Sequence, residues 1–329
     1  DFVAHSDSLP AAAREQSVRP QKNIRENTMQ FSTNNLLAAS LIIFVSCSTQ
    51  KLDSPPSDQI LHKYLEYSNY TTPGEFEYLY DNLPKDIEDI CDLIKMQLVH
   101  PFDIEKFGEA IPKERAYEDQ AIPTVEQMLK ELLARDNKGL VSSRKPKDRL
   151  VVACVHHSLL LASILRHQGI PVRLRAGNAK YIGDDNRIRI THAICEVWDN
   201  QRKVWFLVDP DRDKIDFDRQ EFEFATETWQ KLRKKNIEKK FYVSRYKSVD
   251  QATAHLVWLD LSYVTGTEEP YWNDPPIVTK VEKNFDDLSS SELQLMDKIA
   301  TLIKEPDHHL NELDNIKENN SSLKYNGEL

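Results

Sequence analysis

The spacing of apolar positions changes repeatedly between Thr124 and Val264, and each change predicts a new element. Thr124-Val125-Glu126-Gln127 is a capping box after Pro123, and Val125, Met128, Leu129, Leu132 and Leu133 form one apolar stripe, so a helix leads into the core. A second helix starts at Cys154, runs through Val155 to Gln168 and stops at Gly169-Ile170-Pro171, the punctuation of a helix end. Leu159, Leu160, Leu161, Ala162, Ile164 and Leu165 leave it no polar stripe, so it should be enclosed on most sides. Val172, Leu174 and Ala176 then alternate with Arg173 and Arg175, the period of a half-buried strand ending at Gly177. In Arg187 to Trp198 the positions Ile188, Ile190, His192, Ile194 and Trp198 share one face, while Thr191, Ala193, Cys195 and Val197 share the other. Asp199 to Arg202 reads as a hairpin turn and Lys203 to Asp209 as the returning strand.

A two-residue loop at Asn200-Gln201, or a four-residue loop around it, places His192 directly opposite Asp209. Opposed residues on an antiparallel pair hold their Cβ atoms roughly 4.5–5.5 Å apart, within reach of a carboxylate–imidazole hydrogen bond. The hairpin thus predicts a His–Asp pair. A nucleophile on the element packed against that face would complete it, and the buried helix carries Cys154 in its first turn. Helix N-termini and adjacent imidazolium groups both favour thiolate over thiol. His192 would hold the thiol proton and return it to a leaving amine, Asp209 would fix the ring, and the Cys154 backbone N–H is the natural oxyanion donor. The sequence names no second donor.

These residues resemble the transglutaminase-like superfamily, papain-related thiol acyl-transfer proteins. The likeness lies in Cys154 opening the core helix, in Arg166 to Arg173 as R-x-x-G-I-P-x-R, in His192-Ala193-Ile194-Cys195-Glu196 and in Trp205 to Pro210. It covers about residues 60–280, with specific motifs only in 149–211. The resemblance implies an α+β fold with a buried central helix packed on a small antiparallel sheet and additional helices around it. It also implies Cys154 as nucleophile, His192 as general base and acid and Asp209 as the orienting residue. The sequence departs from the family pattern at Val152, where Gly is usual, and at Ile194, where an aromatic follows His-Ala.

Around this core the organisation is read as a disordered or non-native leader (1–28), a signal peptide (29–46), a tether (47–58), a transglutaminase-like domain (59–285, core 124–215), an amphipathic helix (286–305) and a disordered tail (306–329). Short helices are expected over 59–70, 75–82 and 86–99, and further helices over 227–235 and 251–264. The apolar run Leu36 to Ser46 is too short to span a bilayer and has the length of a signal core. Cys47 follows it as in a bacterial lipoprotein processing site, so the expectation is an exported protein anchored by a lipid at Cys47.

Charge changes the picture little. The formal net charge is -10, and ten acidic against four basic residues from Asp286 onward supply most of it. No basic field suited to nucleic acid is visible. The Asp211, Asp213, Asp216 and Asp218 series lacks the glycine and terminal glutamate of an EF-hand, so neither a metal nor another cofactor is expected. His156 and His157 compete for the role of base and, with Cys154, raise a metal reading. Adjacent helix residues diverge by about 100 degrees, which opposes it. Cys195 points to the strand face opposite His192, which disfavours a Cys154–Cys195 disulfide. Three readings follow: a thiol enzyme acting on peptide, protein or cell-wall amides, a non-catalytic module binding such material, and a metal-binding protein. Val152 and Ile194 favour the second.

Overall fold

The computed structural model describes residues 55–245, 247–281 and 285–325; the expected leader, signal segment, Cys47 and most of the tether lie outside them. Among these residues the order is α1 (Asp58–Lys63), α2 (Ile87–Gln97), β1 (Leu98–Val99), α3 (Val125–Arg135), β2 (Leu150–Val151), α4 (Cys154–His167), β3 (Val172–Ala179), β4 (Arg189–Asp199), β5 (Val204–Asp209), β6 (Lys214–Ile215), β7 (Phe222–Phe224), α5 (Ala225–Arg233), β8 (Tyr242–Val243), α6 (Val249–Val264), α7 (Pro276–Thr279), α8 (Ser290–Leu302) and α9 (Pro306–Asn319). The main sheet runs β6-β5-β4-β3-β7, with β8 parallel to the start of β4. A buried helix on a mainly antiparallel sheet, surrounded by further helices, is the α+β architecture the sequence implies.

Local chemistry explains the helix boundaries. Thr124 and Gln127 close the capping box of α3 reciprocally. At the end of α4, Gly169 adopts φ +75° and donates to Arg166, while Ile170 donates to Leu165, the two bonds of a Schellman turn. From Val155 to Arg166 every residue of α4 is buried. The helix packs on the sheet face formed by Val172, Leu174 and Ala176 of β3 with Ala193, Cys195 and Val197 of β4. Gly177 sits where β7 crosses closely: a Cβ there would lie 2.4 Å from the Glu223 carbonyl oxygen.

The structure departs from four expectations. β3 is buried on both faces, and Arg173 and Arg175 with it. Both guanidiniums bind Glu196, and Arg175 also binds Asp260 of α6, so ion pairing replaces water. Arg166, the first arginine of the R-x-x-G-I-P-x-R segment, forks onto Glu268 at 2.6 and 3.0 Å; these charged motif residues hold the scaffold. The region expected to be a disordered tail forms α9, because Leu310, Leu313 and Ile316 bury one face and Asp307 is held by Arg173 and Trp205. The first two expected N-terminal helices are reduced to α1 and a 3-10 turn at Gly74–Tyr80, and α2 stops at Gln97, where Leu98 and Val99 pair with Leu150 and Val151.

The hairpin register is the fourth. Asp199 pairs with Val204 and Cys195 with Val208, so Asp209 is two residues short of the position opposite His192. The Asp199 carboxylate accepts the Gln201 and Arg202 amides, Lys203 takes φ 58°, and a four-residue loop results. A shift of two preserves the strand face, because side chains alternate with period two. His192 and Asp209 therefore remain neighbours, on a diagonal.

Candidate functional site

His192 Nε2 lies 2.7 Å from Asp209 Oδ2, and both side chains are buried. Asp209 accepts three further hydrogen bonds: the Tyr181 hydroxyl at 2.6 Å on Oδ2, and the Asp211 and Arg212 amides at 3.0 and 3.2 Å on Oδ1. Burial by itself would raise the carboxyl pKa. The His192 charge and hydrogen bond, followed by the Tyr181 hydroxyl, outweigh burial and hold it below the usual range.

With Nε2 engaged by Asp209, Nδ1 is the ring nitrogen left free to meet Cys154, which lines the same cleft. Burial opposes a charged ring, but the Asp209 carboxylate and the Cys154 sulfur outweigh it and raise the His192 pKa well above its ordinary value. The imidazolium is thus favoured. Cys154 is the first residue of α4 and the partly exposed member of the described free cysteines. Cys91 and Cys195 are buried, and burial pushes the Cys91 thiol up to about 12 and the Cys195 thiol well above its usual value. Cys195 Sγ lies 3.5 Å from the Ser158 carbonyl of α4, on the opposite face of β4 from His192. This corrects the expectation that the core helix packs on the His192 face; contact is made from the helix's N-terminal tip.

The constellation therefore places Cys154 beside His192 and His192 against Asp209, the three residues that the sequence reading names. It also contains Tyr181, which that reading missed. The Tyr181 ring stands edge-on to the His192 ring, 6.4 Å between centroids at 90°, and walls the imidazole. The available signal was weak: a single aromatic in the Lys180-Tyr181-Ile182-Gly183 loop following β3. Ile194 packs with Leu207, Phe222 and Phe224, and Val152 lies in the main core with its amide donated to Val99. Neither lines the cleft.

His156 and His157 do not join the thiol. His156 stacks on Trp272 at 5.8 Å, and burial pushes its pKa down to about 3. The His157 Nδ1 meets the Ala153 carbonyl at 3.2 Å, with Nε2 3.7 Å from Asp211. A grouping whose ligand atoms lie within 4.8 Å of one another does exist, but it consists of His192, Asp209 and Asp211. Its first two members already share a hydrogen bond. Among the later acidic residues, Asp213 pairs with Lys95, Asp216 with Arg202, and Asp218 accepts the Gln220 amide.

Cys154 opens onto a cleft enclosing ≈ 920 Å³, space open to solvent included. Its near wall is His192, Ala193 and Ala176, and its far wall is α6. His100 flanks it, with Nδ1 accepting the Phe102 amide at 3.1 Å and burial holding its pKa well below the usual value.

A family model described as the transglutaminase-like superfamily core matches residues 128–210, the span from α3 to the residue after Asp209. No curated protein and no solved structure matches the chain.

Proposed function

We propose that this chain, whose residues 128–210 carry a transglutaminase-like superfamily core, is a cysteine-dependent acyl-transfer enzyme acting on amide bonds, by hydrolysis or by transfer to an amine. One observation carries the reading: an imidazole held between a buried carboxylate at 2.7 Å and a thiol at a helix N-terminus.

The chemistry follows from that order. Cys154 Sγ attacks the amide carbonyl carbon while its proton resides on His192 Nδ1. The resulting oxyanion is met by the Cys154 backbone N–H, one of the unsatisfied donors at the start of α4. Collapse breaks the C–N bond, the His192 proton leaves with the amine, and a thioester remains. Water or a second amine then gives a proton back to His192, attacks the thioester carbonyl and releases the carboxylic acid or new amide with the thiol restored. Asp209 keeps Nε2–H occupied so that Nδ1 faces the sulfur. Val152 and Ile194, which favoured a non-catalytic module, are fully buried core residues that do not themselves line the cleft, so they give that alternative no direct support.

The test is alkylation by iodoacetamide at pH 6, followed residue by residue by mass spectrometry. Cys154 is expected to react at least tenfold faster than Cys91 or Cys195, and His192→Ala is expected to abolish the difference. Slow, equal labelling of all three would sink the proposal.

A further inference from the structure

The wall of the cleft opposite His192 is one stripe of α6: Ala252, His255, Leu256, Leu259 and Tyr263. This spacing is one face of a helix. Three of these five are aliphatic, and Val155, Ile190 and Val243 continue the same character around the cleft. The cations at its margin are already paired, Lys247 with Asp274 at 2.7 Å and Arg245 with Asp119 at 4.0 Å. A charged occupant would find no partner there and would lose its hydration.

Two polar atoms interrupt the apolar wall, and both are buried without a hydrogen-bond partner: the Tyr263 hydroxyl and the His255 Nε2. Buried polar atoms in native proteins are ordinarily satisfied, so a pair of orphans facing one cleft asks for a ligand. Their characters differ. Burial keeps Tyr263 protonated, with the nearby Cys154 adding to the effect, so the hydroxyl is a donor near the thiol end. Burial likewise keeps His255 neutral. Its Nδ1 stands 2.6 Å from Asp274 Oδ1, a contact poorly aligned for a hydrogen bond but tolerable only with a proton between the atoms. That proton on Nδ1 leaves Nε2 as a bare acceptor. Eight residues of helix separate donor from acceptor, roughly 12 Å at 1.5 Å per residue, the length of three or four residues of extended chain.

We propose that this cleft is the acyl-side subsite for an extended, apolar, uncharged peptide segment, one backbone carbonyl accepting from Tyr263 and one backbone N–H donating to His255. An extended peptide supplies both hydrogen-bonding partners at this spacing together with apolar side chains; a glutamine side chain is too short to reach both, and an alkyl chain supplies neither. The assignment rests on Cys154 being the nucleophile, as proposed above.

The experiment measures the rate of Cys154 labelling in the full chain by three chloromethyl ketones. One carries an N-acetylated apolar tripeptide, one an acidic tripeptide, and one a straight alkyl chain of similar length. The apolar peptide is expected to label at least tenfold faster than either other probe. In Tyr263→Phe, checked for a wild-type melting profile, the peptide-to-alkyl ratio is expected to fall at least threefold, and in Ala252→Leu, which narrows the same wall, the apolar peptide is expected to slow most. Equal rates for the three probes, or preference for the acidic or alkyl one, would overturn the subsite. So would a Tyr263→Phe variant that slows peptide and alkyl probes alike, since a donor to the reacting carbonyl would act on both. Iodoacetamide labelling independent of His192 would instead remove the nucleophile assignment, so the two failures are told apart.

Discussion

Two His–Asp pairs face one cleft and behave oppositely. His192 and Asp209 lie 2.7 Å apart, His255 and Asp274 2.6 Å apart, and both rings are almost completely enclosed. Yet the His192 pKa is raised well above the ordinary value while that of His255 is lowered. Burial is the largest influence on both rings and disfavours charge in both. At His192 it is outweighed by two neighbours, the Asp209 carboxylate and the Cys154 sulfur. At His255 the single carboxylate is shared with Lys247, whose own charge adds to the penalty. Distance to an aspartate therefore does not decide a histidine's charge; the net charge around the pair does.

The comparison can be broken most severely at Asp209. Asp209→Asn keeps the shape but takes the counter-charge from His192, and Cys154 alkylation at pH 6 is expected to fall by about 10²-fold or more, given that the equivalent change in a serine triad costs about 10⁴ in turnover. The same exchange at Asp274 is expected to leave iodoacetamide labelling within about twofold, because His255 does not touch the thiol.

A subtler contrast lies in stability against pH. His192, with its folded pKa raised, contributes stability that is fully present below its unfolded value of about 6.5 and is lost as pH rises through the folded value. His255, with its folded pKa lowered, does the reverse: folding is unpenalised above about 6.5 and loses stability as pH falls toward the folded value. Calorimetry between pH 8 and 5 should thus show wild type gaining on His192→Gln as pH falls and losing ground to His255→Gln. Each kcal/mol would move Tm by roughly 2–4 °C. Parallel profiles for the two variants would refute the opposite charge states.

The smallest effect is expected at Lys247. Lys247→Gln frees Asp274 for His255 alone and removes a repelling cation, so the His255 ring should titrate at higher pH in an NMR titration. A fall in that value would show that Lys247 is not the group separating the two pairs.

Much of this site was legible along the chain because its geometry is local. The capping box fixes α3, Gly169 fixes the end of α4, and alternation fixes which side chains of β4 and β5 share a face. Parity tolerates a register shift: the Asp199-capped loop moves the pairing by two residues from the shortest-loop register, and His192 and Asp209 still meet. Periodicity has no such protection where charge is buried. Alternating Arg173 and Arg175 signalled water on one side of β3, when Glu196, Asp260 and Asp307 had come from elsewhere to meet them.

What the sequence settled on its own was therefore which elements form the candidate site and which faces their side chains take, since helix ends and strand faces depend on neighbours a few residues away. Tertiary structure alone decided which neighbours shift their charge and what may lie beside them. Tyr181 reaches Asp209 across 28 residues, α9 closes over Arg173 from 134 residues away, and α6 supplies the far wall of the cleft. Desolvation and Coulomb interaction act through space, so no spacing along the chain could announce them.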